Sequence, residues 1–285
     1  MYKATLILEG GATRGVFTAG VLDYLTGNNL RMSHIIAVSA GACNAVDYVT
    51  EQQGRTKRCM IPTDKSTYYY HGFRKFVKKR SVMNMDLIFD AFPNRIYPFN
   101  FDEYFQSEKE CEIVTTNCIT GKAEYMTERE NRERLLKICR ASCSMPLLSP
   151  IVNIDGIPYL DGGITDAIPI QRALAIGNEK IVVVLTRNRG YRKKNMSRGV
   201  AELYKRSYRS YPHLVQSILS KSANYNNAIR KVEKLEDEGK IFVIRPAVKP
   251  IARMERNSDV LQVFYEHGGA IVERNYEALV KYLKG

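Results

Sequence analysis

Three short segments of this sequence set reactive side chains among small neighbours: Glu9-Gly10-Gly11-Ala12-Thr13-Arg14-Gly15, Ala37-Val38-Ser39-Ala40-Gly41 and Tyr159-Leu160-Asp161-Gly162-Gly163. A serine in a tight turn from strand to helix lifts its hydroxyl to the helix N-terminus, and the following N–H, here that of Ala40, reaches the oxygen of the carbonyl under attack. The same serine could simply cap a helix that starts near Gly41. In the glycine loop, small residues let the backbone approach a ligand, and the helix that follows aims free N–H groups at an anion. That anion is either a nucleotide phosphate or the negative oxygen of a tetrahedral intermediate. Asp161, at a strand end before two glycines, is either a proton acceptor or a plain turn residue. Together the segments supply a nucleophile, a base and oxyanion donors, the parts that acyl transfer needs.

The elements around these segments decide whether the parts can meet. Lys3–Glu9 and His34–Val38 read as short buried strands, each followed by a turn and a helix, about Arg14–Leu25 and Gly41–Gln52. Strand, turn and helix repeated in this way point to an α/β fold with a parallel sheet. The run Lys180–Thr186 is apolar on both faces, as a central parallel strand should be. Ile151–Leu160 reads as a hairpin about Asp155-Gly156, a strong two-residue turn signal. Glu112–Asn117 is a further strand, and Glu128–Arg140 has a helical pattern. Beyond the basic segment 187–198 come helices over about Ser197–Leu219 and Ala223–Asp237, a strand Lys240–Arg245 and a last helix over about Ser258–Leu283. That last helix places Leu261, Phe264, Gly268, Ile271, Asn275 and Leu279 near one face. In an open parallel sheet the strand C-termini gather at one rim, so Ser39, Asp161 and the glycine loop are expected there. His34 starts a strand at the opposite end, and His71, His213 and His267 lie outside strand-end turns. A Ser–Asp dyad is therefore the economical reading.

These motifs resemble those of the patatin-like phospholipases. That family carries an acidic-Gly-Gly-Gly-x-Arg-Gly loop, a Gly-x-Ser-x-Gly elbow and an Asp-Gly-Gly or Asp-Gly-Ala turn, matched in order by Glu9–Gly15, Ala37–Gly41 and Asp161–Gly163. Ala141–Pro146 and Ala167–Ile170 are also family-like, and the resemblance spans roughly residues 3–186. Two residues depart from the pattern. Ala37 replaces the first elbow glycine, and Ala12 the third loop glycine, where a positive φ would cost alanine roughly 1 kcal/mol. The resemblance implies a three-layer α/β/α core with a mainly parallel sheet over residues 1–190 and a mostly helical extension, 191–285, packed on it. It also implies a serine acyl hydrolase acting on carboxylic esters of lipids. Ser39 would be the nucleophile and Asp161 the base; Gly10, Gly11, Ala12 and Ala40 would form the oxyanion hole, with Arg14, Gly15, Gly41, Gly162 and Gly163 supporting it. The competing reading within the family is a weak or inactive scaffold that binds lipid or protein. The aromatic stretch 68–101, with Tyr68-Tyr69-Tyr70, Phe73, Phe76 and Phe89, could line an acyl pocket or form a lid.

Composition sets the outer limits. With 45% hydrophobic and 26% charged residues, the 285-residue chain is neither disordered nor fibrous. No apolar run nears the roughly 18 residues that cross a bilayer, and the first residues do not read as a signal peptide. The six cysteines form no C-x-x-C pair, which suits reduced thiols and a cytoplasmic setting. No zinc motif is present, and neither a metal nor a cofactor is expected. The net charge of +13 is concentrated in Arg74–Arg80 and Arg187–Arg209. Such clusters suit peripheral contact with an anionic membrane surface, or an acidic substrate. Nucleic acid is not expected, since no RNA- or DNA-binding motif accompanies the charge. A nucleotide enzyme would need G-x-G-x-x-G and an acid after the next strand; here position 12 is Ala and the second strand ends at Ser39.

Overall fold

Chain order alternates strand and helix for most of its length. The computed structural model describes residues 1–285 except 73, 75–77, 79 and 80; Phe73 and Phe76, and Lys75, Lys79 and Arg80 of the first basic cluster, lie outside the described residues. The elements begin with β1 (Tyr2–Leu8), α1 (Gly15–Gly27), β2 (Met32–Val38), α2 (Ala40–Val49) and α3 (Arg55–Met60). A π-helical stretch (Leu87–Ile96), α4 (Phe101–Gln106), β3 (Glu110–Asn117), β4 (Ala123–Met126) and α5 (Arg132–Ser142) follow. Next come the hairpin strands β5 (Val152–Ile154) and β6 (Ile157–Asp161), then α6 (Ile170–Ile176) and β7 (Lys180–Val184). The chain continues with α7 (Arg198–Ser207), α8 (Pro212–Asp237), β8 (Phe242–Ile244), α9 (Ser258–Arg274) and α10 (Tyr276–Lys284).

Among the described residues eight strands form one sheet, paired in the order β5-β6-β3-β2-β1-β7-β8, with β4 on β3. The pairs joining β3, β2, β1, β7 and β8 are parallel; β4, β5 and β6 join antiparallel. Alternation along the strands fills two cores. Leu6, Leu8, Ile35 and Val182 face α1, α2, α5 and α9, whereas Ile7, Ile36, Val183 and Leu185 face α6 and α8. This is the expected three-layer α/β/α arrangement with a mainly parallel sheet.

The hairpin turn has positive φ at both Asp155 (53°) and Gly156 (84°), the conformation that makes Asp-Gly a hairpin signal. Other boundaries move for identifiable reasons. The Glu128 carboxylate accepts the N–H groups of Arg129, Glu130 and Asn131, which holds a turn there. Asn131 then caps α5 through the Arg134 N–H. Helix α8 runs unbroken through Lys221 and Ser222, because its buried face (Leu214, Ile218, Tyr225, Ile229, Val232) keeps helical spacing. Its start is Pro212, a residue preorganised for the first helical position. The helix expected over Ser258–Leu283 breaks at Asn275 into α9 and α10, where the Asn275 side-chain amide bonds back to the Ile271 carbonyl.

Helix α1 lies along α9, crossing near Gly20 and Gly268. Far from the motif segments, Glu112 at the start of β3 accepts two hydrogen bonds from Arg172 and faces His34 at 3.6 Å. Burial alone would raise its pKa, but Arg172 and His34 hold it at about 2.

Candidate active site

Strand register brings Ser39 and Asp161 together. Strand β2 pairs with β3 up to Val38↔Val114, and β6 pairs with β3 from Thr115↔Asp161 onward. Because β4 overlaps both partners along β3, it must occupy the other edge, so β2 and β6 share one edge end to end. The chain leaves β2 at Ser39 where β6 arrives with Asp161. The Ser39 hydroxyl donates to Asp161 Oδ2 at 2.8 Å, with both residues buried.

Ser39 has φ 55° and ψ −127°, a region that costs a non-glycine residue about 1–3 kcal/mol and persists only when its surroundings enforce it. Part of that enforcement comes from Ser142 at the end of α5. Its hydroxyl accepts the Ser39 N–H at 2.8 Å and donates to the Val114 carbonyl at 2.7 Å. Asp161 is held as firmly. Its Oδ1 accepts the Gly163 N–H at 2.7 Å, and its backbone N–H reaches the Ser144 carbonyl at 2.8 Å. Gly162 can only be glycine, since a Cβ there would lie 2.1 Å from the Val114 carbonyl oxygen.

The loop 10–15 lies against this pair. A Cβ at Gly10 would sit 2.7 Å from that of Ser39. Ala12 has φ 50°, so the alanine at the third loop position does adopt a left-handed conformation. Among the described residues, no group accepts the N–H of Gly10, Gly11, Ala12 or Ala40, which leaves these donors for a bound anion. Gly15 heads α1 and its carbonyl accepts from Asn44 at 3.1 Å; Gly41 lies in the first turn of α2 against Leu8.

Arg14 lines the polar space beside Ser39 and donates through Nε to the Ile251 carbonyl at 2.8 Å. Thr13 bonds the Arg253 carbonyl through N–H (3.2 Å) and hydroxyl (2.9 Å). The segment 251–253 therefore braces the loop. Glu9 is engaged as well: it accepts the Thr186 N–H (2.6 Å), the Thr186 hydroxyl (3.0 Å) and the Tyr225 hydroxyl (3.0 Å). Its carboxylate ties β1 to β7 and α8 and is not free to act as a base.

Two unlike spaces open on Ser39. One is an apolar cavity of about 120 Å³ with Tyr69, Met60, Phe89, Phe92 and Leu135 in its walls. The other, of about 340 Å³, is polar and contains Asp161, the glycine loop and several cations. Cys43, Cys59, Cys139 and Cys143 line the apolar side as free thiols. Burial pushes Cys59 up to about 12 and raises Cys139 well above its ordinary value, so they behave as small hydrophobes rather than rival nucleophiles.

The patatin-like phospholipase family model matches residues 6–174, more than half of the chain. The chain belongs to the patatin-like phospholipase family. Residues 211–284 of this patatin-like chain match a second model, a domain of unknown function, DUF6363. The uncharacterized protein YjjU of Escherichia coli K12 is 29% identical over 191 residues, 65% of this chain and 52% of that protein. The chain thus spans about half the length of that relative. The crystal structure of VipD from Legionella pneumophila aligns over 98% of this chain and 67% of its own, with a TM-score of 0.48 and 12% identity.

Every residue singled out in the three patatin-like motifs lies at this rim. Sequence reasoning gave no role to Ser142, Thr186 or Tyr225. Ser142 sits in the family-like block 141–146, and that block was the available signal. Nothing local marks Thr186 or Tyr225, which matter only because they receive Glu9. None of the four histidines lines either space, and His34 packs beside Glu112 at the far end of the sheet.

Proposed function

We propose that this protein is a serine acyl hydrolase that cleaves carboxylic esters of lipids through a Ser–Asp dyad. Ser39 Oγ attacks the ester carbonyl while Asp161 takes its proton; the N–H groups of Gly10, Gly11, Ala12 and Ala40 receive the oxyanion. The alkoxide leaves with the proton returned by Asp161, and a water activated by the same carboxylate hydrolyses the acyl-Ser39 ester to the fatty acid. The preformed 2.8 Å hydrogen bond aligns the Ser39 hydroxyl with Asp161, so that proton transfer needs no reorientation. The observation that carries the reading is the 2.8 Å contact between Ser39 and Asp161, made by a serine held in an elbow conformation. The apolar cavity supports an acyl chain as the bound group, because its walls offer little that could hydrogen-bond a polar substrate. A fluorophosphonate probe should label the wild type and not Ser39→Ala. An unlabelled wild type that hydrolyses no ester would instead favour a scaffold that binds lipid or protein.

Peripheral contact with an anionic membrane surface is the setting proposed for this reaction. Helix α7 supports it: none of its residues is buried, Val200 and Leu203 are exposed, and Lys205 and Arg206 accompany them. Tyr204 on the same helix lines the polar space beside Ser39, so the helix lies at its mouth. Basic and apolar residues on one exposed helix suit an interface with acidic lipid. Among the described residues, no helix is long and apolar enough to cross a membrane. Sedimentation with phosphatidylglycerol vesicles should fall about tenfold in Leu203→Glu. Equal sedimentation of wild type and variant would exclude this helix as the contact.

A further inference from the structure

The basic segment after β7 divides into two sets of side chains. Arg189 pairs with Glu236 and Asp237, and Arg192 with Glu233, all on α8. These charges are neutralised on the outer surface. Arg187, Lys193 and Lys194 turn instead into the polar space beside Ser39, where Lys221 of α8 and Arg253 join them. Among the described residues, none of these five has an ion-pair partner. The Lys193 ammonium lies 3.7 Å from the centre of the Tyr225 ring, and the Arg187 guanidinium 4.2 Å from that of Tyr191. Among the described residues, the only acids lining the space are Glu9 and Asp161. Glu9 is saturated by Thr186 and Tyr225, and Asp161 is held by Gly163 and Ser39.

A half-enclosed space with several cations and no spare anion is unfavourable when empty. The strain registers on its members. Burial and then Lys221 push Lys193 down to about 7; burial lowers Lys221; burial, then Arg187 and Arg253, push Arg14 down to about 10. An anion bound among these groups would relieve all of them together.

We propose that this space is a phosphate subsite, built mainly by Lys193, Lys221 and Arg253, and that it selects acyl esters whose alcohol portion carries an uncompensated phosphate. The inference rests on the hydrolase reading above. With the acyl chain in the apolar cavity and the carbonyl at Ser39, the alcohol portion must extend into the cationic space. A glycerol unit separates ester from phosphate by only a few bonds, which suits a phosphate held close to the dyad. Cleavage would release a fatty acid and a glycerol phosphate. A quaternary ammonium on the phosphate would meet like charges, so zwitterionic headgroups are disfavoured.

The test compares 1-oleoyl-lysophosphatidate with 1-oleoylglycerol, which share acyl chain and scissile ester, in the same mixed micelles. The ratio of their kcat/KM values in the wild type should be about 30 to 100 in favour of the phosphate ester, the worth of one or two charge-assisted contacts. In Lys193→Met/Lys221→Met that ratio should collapse to within about threefold. In Arg253→Gln, where the side chain is exposed and refolding is not at issue, it should fall about three- to tenfold. A ratio taken within one protein cancels any general loss of activity. Titration with inorganic phosphate forms an independent arm: calorimetric binding to the wild type and to Ser39→Ala, absent in the double lysine variant, supports the subsite whatever the catalytic outcome. Hydrolysis of both esters at equal rates without phosphate binding overturns the subsite and leaves the hydrolase standing. Phosphate binding with equal rates overturns the substrate assignment, because the space would then take free phosphate rather than a headgroup. Failure to hydrolyse either ester, with phosphate still bound, overturns the hydrolase reading and not the anion site.

Discussion

Asp161→Asn should lower kcat for ester hydrolysis by about 10³- to 10⁴-fold, with little change in thermal stability. The substitution is nearly isosteric. An asparagine oxygen can still accept the Gly163 N–H, which now bonds Oδ1 at 2.7 Å, so the turn survives. The other terminal atom changes from an acceptor to an NH₂ donor. The hydrogen bond to Ser39, 2.8 Å in the native dyad, is then reversed, and the hydroxyl proton has no acceptor. Replacing Ser39 itself by alanine removes the attacking atom and should leave only background hydrolysis. Steady-state rates on a soluble ester, beside a melting curve for each variant, check both. If Asp161→Asn retains activity within tenfold of wild type while Ser39→Ala is inactive, another group takes the proton.

Gly20→Ala and Gly268→Ala should each destabilise the fold by about 3 kcal/mol or more, without touching the site directly. A Cβ at Gly20 would lie 1.9 Å from the Tyr265 carbonyl oxygen, and one at Gly268 would lie 2.2 Å from that of Phe17. Both obstacles are backbone atoms, so no rotamer change relieves them. Helices α1 and α9 would have to separate by more than 1 Å, opening the core around Phe17, Phe264 and Leu261. For a chain of this size the melting temperature should drop by about 5 °C or more. The double variant should cost less than the sum, because one separation accommodates both methyls. An unchanged melting temperature in Gly20→Ala would mean that the helices do not meet at this crossing. Helix α1 also begins at the loop beside Ser39, so its seating on α9 bears on the rim as well as on stability.

The gains and misses of sequence reading follow one physical division. Chemistry carried by adjacent residues is legible. The small residues of 9–15, 37–41 and 161–163 are there because strand ends turn tightly and backbones touch, and such steric demands act over a few residues. Apolar strand runs with intervening helices likewise implied an α/β fold with a parallel sheet, since burial on both faces leaves its mark on each strand; the three-layer arrangement came from the family resemblance. Two of the misplaced helix boundaries share a cause: Glu128 and Asn275 divert the backbone with their own side chains, a local competition that hydrophobic spacing does not register.

The motif residues and the type of fold were legible in the sequence alone, whereas the order of strands in the sheet was not. Only tertiary structure decided that Ser142 would clamp the Ser39 turn, and that Glu9 would be consumed by Thr186 and Tyr225. It also decided which residues of one basic segment meet acids on α8 and which face the dyad. Those outcomes depend on how α5 and α8 seat against the sheet, hence on contacts between residues from 41 to 216 positions apart. No local pattern encodes such contacts, because side-chain direction at long range is set by packing rather than by neighbours in the chain.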